Sequence, residues 1–230
     1  MIREAKKLAR AAKVTPVVDG SALKITLERQ LVDELAVSFP GKPLKESRAL
    51  MVSGADRWGM AEGVATHAAQ VVLGDLMFGL GLPIPLRSIR ALERVARFAA
   101  PIVAQLPFKL LYPTGEKQKE HRPKYQDFFI WADWYCGDFH YIRRNLPERL
   151  SGKVILTNTT TAEDRSLLRE RGLGYLVTTT PVIDGRSFGM NVLEGLITAL
   201  IRQAGDMPDP ASIAIFVNKL GLKPTIDQLN

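Results

Sequence analysis

Most of the residues able to do chemistry lie in short stretches that follow apolar segments. In "SGADRWG" (53–59), Gly54, Asp56 and Gly59 have the spacing of a phosphate-cradling G-x-G-x-x-G loop, with Asp56 in place of the middle glycine. A helix opening just after the loop would attract an anion through its free amides, and Arg57 would offset Asp56 or touch a phosphate itself. Asp75 follows about twenty residues on, where an acidic group accepts ribose hydroxyls and disfavours a 2′-phosphate. The loop therefore reads as a nucleotide seat, with Gly54, Arg57, Gly59 and Asp75 as cofactor ligands and NAD slightly favoured over NADP. A tight structural turn and a seat for another ligand are the alternatives.

Four further stretches carry reactive types. "DGSALK" brings together Asp19, Ser21 and Lys24, and a lysine beside an aspartate can exchange a proton with a substrate hydroxyl. "GDFHYIRRNLPERL" holds Asp138, His140, Tyr141, Arg143 and Arg144; the ordinary pKa of a histidine such as His140 suits proton transfer near neutral pH. "TNTTT" and "TTTP" each end a strand in consecutive hydroxyls, and Thr159 and Thr160 are candidates to hold a nicotinamide, ribose or carboxylate. "GRSFGMN" offers Arg186 and Ser187 at the opening of a helix, with Asn191 a turn further on. Lys24 and His140 are thus the candidate catalytic residues. Asp19, Ser21, Arg143, Arg186 and Ser187 are the candidate substrate ligands. Helix capping and strand propensity account for many of the same residues.

Positioning them requires a layered scaffold. Residues 1–13 have helical periodicity, 14–18 read as a short strand, and 21–36 as a helix with Ser21 a candidate N-cap. Apolar strands at 49–53 and 70–74 flank a helix starting near Trp58, a β-α-β unit. A basic amphipathic helix covers 86–105, interrupted at Pro101. Strands at 133–137, 153–157 and 175–180 then alternate with helices near 139–150, 162–171 and 187–203, while 211–220 is either an edge strand or an apolar helix. Strands apolar on both faces belong in a parallel sheet covered by helices. The expected fold is a Rossmann-like, doubly wound α/β domain over 1–205, with helices on both faces of a mostly parallel sheet. It carries an insertion or cap near 76–130 and a C-terminal extension over 206–230; two subdomains split within that insertion are the alternative. The polar stretches all follow strands, at the rim where open parallel sheets bind ligands.

The 230 residues carry a net charge of +7 and are 46% hydrophobic. The charge calls for an anionic or polyol small molecule. It is scattered rather than gathered in a nucleic-acid motif, so no nucleic-acid partner is expected. No apolar run is long enough for a bilayer, no zinc-ligand spacing occurs, and no membrane partner or metal is expected. The single cysteine, Cys136, suits a reducing cytoplasm and reads as a core residue. A homo-oligomer is compatible with the sequence.

"TPVVDGSALKITLERQ", "DRWGMAE", "LYPTGEKQ", "GDFHYIRRNLPERL" with "TNTTT", and "TTTP" followed by "GRSFGMNVLE" together resemble bacterial proteins of the quinate 5-dehydrogenase-like group. The likeness runs from about Val14 to Leu200 and implies that relatives carry further N-terminal residues. It implies NAD(P)-dependent oxidation of a hydroxylated cyclic carboxylate of the quinate or shikimate kind. The residues leave open a second class, a non-catalytic domain of similar fold binding a nucleotide or anionic metabolite.

Overall fold

The computed structural model describes residues 10–15, 17–18, 20–103, 123–180, 182–184, 186–187 and 189–230. Five short segments line up in parallel: β1 (Arg48–Met51), β2 (Gln70–Leu73), β3 (Trp134–Cys136), β4 (Val154–Thr157) and β5 (Tyr175–Thr178). β6 (Val182–Ile183) and β7 (Arg186–Ser187) form a separate two-strand hairpin. β8 (Thr225–Gln228) adds antiparallel to β5, so the main sheet runs β2-β1-β3-β4-β5-β8. The direction of winding reverses between β1 and β3.

The apolar pattern of the strands explains why helices cover both faces. Ala49, Met51, Trp134, Cys136, Leu156 and Val177 point into one buried cluster, and Leu50, Val52, Tyr135, Ile155 and Leu176 into another. The first is covered by α1 (Ser21–Ser38), α2 (Trp58–His67) and α3 (Ile89–Val103). The second is covered by α4 (Gln126–Trp131), α5 (Phe139–Asn145) and α6 (Ala162–Glu170). β1 to β2 steps one way with α2 on one face, and β3 to β5 steps the other way with α5 and α6 on the opposite face. Both windings therefore have the same hand, as the twist of parallel strands requires.

α1 is buried on two sides. Val32 and Leu35 face the sheet, while Leu23, Leu27 and Leu31 face α7 (Met190–Gln203) and α8 (Pro210–Leu220). Residues 206–230, expected as an extension, supply α8 and the edge strand β8. The apolar segment 211–220 is helical, capped by Asp209, whose carboxylate accepts the Ser212 amide at 2.7 Å. No strand forms over the described residues of 14–18. Residues 1–9, 16, 19 and 104–122 lie outside the described residues, and with them most of the helix expected over 1–13 and the last part of the one expected over 86–105. Among the described residues no helix is long and apolar enough to cross a membrane.

Candidate functional site

The parallel register sets Met51 beside Leu73 and Cys136, Cys136 beside Leu156, and Leu156 beside Val177, so the loops after all five strands leave one edge of the sheet. At the reversal between β1 and β3 that edge holds a cavity of about 320 Å³. Leu76 and Leu80 from the π-helical turn after β2, with Leu92, Val95 and Ala99 from α3, make it mostly apolar. Ser53, Asp56, Asp75 and Tyr141 supply its polar groups.

Asp75 dominates this wall. Its Oδ1 accepts the amides of Gly54 at 2.9 Å and Ala55 at 2.7 Å, while Oδ2 is buried with no hydrogen-bond partner among the described residues. Burial pushes its pKa up to about 6, against the pull of the two amides. Burial likewise raises Asp56, and raises the Tyr141 phenol to about 12 with nearby carboxylates adding to the shift.

Behind the loop lies a buried ion cluster. Arg57 is 2% exposed; its Nη1 donates to Glu28 Oε1, and its Nη2 lies 3.3 Å from Asp138 Oδ2. Burial works against the guanidinium charge, but Glu28, Asp138 and Asp56 overcome it and hold the proton more firmly than usual. Glu28 is 0% exposed, and burial raises its pKa despite Arg57 and Lys24. Asp138 also caps α5, accepting the His140 amide at 3.0 Å.

Several expectations change at this level. The Gly54 amide, expected to meet a phosphate, is taken by Asp75. Arg57, expected at a phosphate, is sealed inside the fold. Gly59, expected as a cofactor ligand, faces helix α1 instead: a Cβ there would stand 2.4 Å from the Ile25 carbonyl oxygen and 2.5 Å from that of Lys24. Gly63, one turn on, would place a Cβ 2.8 Å from the Val32 Cβ. Ser21 is the first residue of α1 rather than its cap. Gly20 takes that position at φ 76°, with its missing side chain facing Asn191. The free amides there are met by Glu194 of α7, whose oxygens accept Gly20 N at 3.3 Å and Leu23 N at 3.1 Å.

The hydroxyl-rich end of β4 binds β7 and the end of β5. Thr160 N donates to Ser187 Oγ at 2.7 Å, Ser187 N to the Thr160 carbonyl at 3.2 Å, and Thr180 Oγ1 to the Asn158 carbonyl at 2.9 Å. Ser187 is 0% exposed and lies in β7, and the helix expected to start with it begins at Met190. Thr159 is half-buried beside this hairpin. Arg143 is held by Asp164 at 2.6 Å and Glu163 at 3.3 Å rather than left for a substrate carboxylate. His140 is exposed on the first turn of α5, and Lys24 is half-buried on α1, where its charge reaches Glu28 and Asp56. Arg186 pairs with Ile183 across the β6–β7 hairpin. Asp19 lies outside the described residues.

The structure thus brings Gly54, Arg57, Asp75 and Lys24 to the β1–β3 end of the rim, and Thr160 and Ser187 to the β4–β5 end. Sequence reasoning missed Glu28 and Glu194. Each is a carboxylate at an apolar position of a helix, and that conflict with the periodicity is the signal that could have found them.

A family model described as a domain of unknown function, DUF8754, matches residues 22–229. The chain belongs to that family. Neither a curated protein nor a solved structure matches it significantly.

Proposed function

We propose that this protein is a Rossmann-like, cytoplasmic ligand-binding domain that takes a nucleoside-bearing small molecule into the cavity at the strand reversal. The observation that carries the reading is Asp75 Oδ2, a buried acceptor with no partner among the described residues, on a side chain of a mostly apolar cavity wall. A buried acceptor left unmade is unfavourable by about 1–3 kcal/mol, which a donor from a ligand relieves. A ribose hydroxyl is such a donor, and an acidic residue at this spacing from a first-loop glycine is where nucleotide folds receive it. The apolar wall from Leu76, Leu80, Leu92 and Val95 suits the base.

A dehydrogenase would seat the adenosine end of NAD or NADP in the same cavity, and the order reversal beside Asp75 favours that second reading. In it, Lys24 or His140 relays the hydroxyl proton of a hydroxylated cyclic carboxylate while hydride passes to the nicotinamide. Against it, the Gly54 and Ala55 amides, Arg57 and Arg143 already hold the protein's own carboxylates. Binding without hydride transfer is the better-supported role.

Thermal unfolding with adenosine, ADP-ribose, NAD, NADP and quinate tests this. Adenosine at about 100 times its dissociation constant should add about 2.7 kcal/mol, with no rise in reduced-cofactor absorbance when NAD and quinate are mixed with the protein. Indifference to every adenosine compound would refute the binding role. Turnover of NAD would select the dehydrogenase, and retention of that turnover by Lys24→Ala or His140→Ala would remove the substituted residue from the relay.

A further inference from the structure

We infer that the cavity discriminates by charge, accepting an unphosphorylated nucleoside and rejecting its 5′-phosphates, with Asp75 and Asp56 as the specificity-determining residues. The inference rests on the nucleoside reading above and names the ligand class within it.

Nucleotide folds hold phosphate on the amides of the loop after the first strand and on the helix that follows. Here the loop amides of Gly54, Ala55 and Arg57 are engaged. Gly54 and Ala55 donate to Asp75 Oδ1, and Arg57 N donates to the Gly54 carbonyl at 3.0 Å. The position usually glycine, where backbone must approach a phosphate, is Asp56, a residue of the cavity wall.

Neither Arg57 nor Lys24 rescues an anion. Arg57 is buried behind the loop between Glu28 and Asp138, and its side chain is 3% exposed. Its single positive charge is shared among Glu28, Asp138 and Asp56. Lys24 acts on Glu28 and Asp56, but does not line the cavity. A phosphate entering here would meet two carboxylates, in a wall whose apolar side chains exclude the water that would screen them. A ribose hydroxyl and a base require none of the missing donors.

Isothermal titration of the full chain with adenosine, AMP and ADP tests the inference. The wild-type protein should bind adenosine at least about tenfold tighter than AMP, with ADP weaker still. Asp56→Asn, which removes the charge and keeps the shape, should bring AMP within about threefold of adenosine. Asp75→Asn should weaken adenosine about tenfold. Asp56→Ser reads the same ratio if the asparagine variant fails to fold. AMP binding as tightly as adenosine to the wild type, or an unchanged ratio in the Asp56 variants, would overturn the charge selection while leaving the nucleoside reading standing. Absence of binding by all three compounds would overturn both.

Discussion

Arg57 Nη2 stands 3.3 Å from Asp138 Oδ2, joining the loop after β1 to the loop after β3 across the point where strand order reverses. The same guanidinium reaches back to Glu28 inside α1, so one side chain ties a helix and two loops together.

Removing that guanidinium leaves a buried carboxylate unpaired. Arg57→Ala should lose about 3–5 kcal/mol in urea unfolding, the usual result of breaking a buried ion pair from one side. Arg57→Lys should recover part of it, because one ammonium cannot match the two-sided fork. A loss below about 1 kcal/mol for the alanine variant would show that the cluster is not holding the loops.

Two glycine replacements should move stability in opposite directions. Gly59→Ala drives a methyl into the Lys24 and Ile25 carbonyl oxygens and should destabilise by about 1–3 kcal/mol. Gly195→Ala, inside α7, finds its nearest atom 3.8 Å away at Val18 and should gain about 0.5–1 kcal/mol. Thermal midpoints of the two variants check the pair: a gain for Gly59→Ala would contradict the close approach of α1 and α2, and a loss for Gly195→Ala the open space beside it.

Acid should strengthen the cavity wall rather than weaken it. The Asp75 carboxyl titrates near 6 in the fold against an ordinary 3.8, so between those values the folded state holds more proton than the unfolded one. Its contribution to stability is full below pH 3.8 and is lost as pH rises through 6. Asp75→Asn keeps an acceptor for the Gly54 and Ala55 amides and should flatten the fall in urea midpoint over that window. An unchanged slope would place the titration elsewhere.

Glu194→Gln retains acceptors for Gly20 and Leu23 but weakens them, and Glu194→Ala removes them. The alanine variant should lose about 1–2 kcal/mol, the range for a lost helix cap. Hydrogen exchange at the Leu23 amide should speed up in it before that of the β4 amides does. Uniform acceleration at both would deny a local capping role.

The sequence made the β-α-β-type alternation and the chemically loaded rim legible because parallel strands buried on both faces leave continuous apolar runs such as Val154–Leu156. It did not reveal β8, whose "TIDQ" is short and polar because it closes an edge and needs only a half-covered pattern. Nor did it reveal which rim groups were already satisfied. Asp75 and Gly54 are 21 positions apart and Thr160 and Ser187 are 27 apart, and motif spacing cannot distinguish a donor awaiting a ligand from one met by the chain itself. α1 was found as a helix, but its double burial was not, since Glu28 breaks the stripe that would have announced a second face.

Glu194 also imposes an order on the birth of the molecule. It lies 174 positions after Gly20 and 171 after Leu23, so a ribosome adding about 5–20 residues per second delivers it roughly 10–35 s behind them. Through that interval α1 has neither its cap nor its α7 neighbours. Leu23, Leu27 and Leu31 are then the surface a chaperone would meet on the nascent chain.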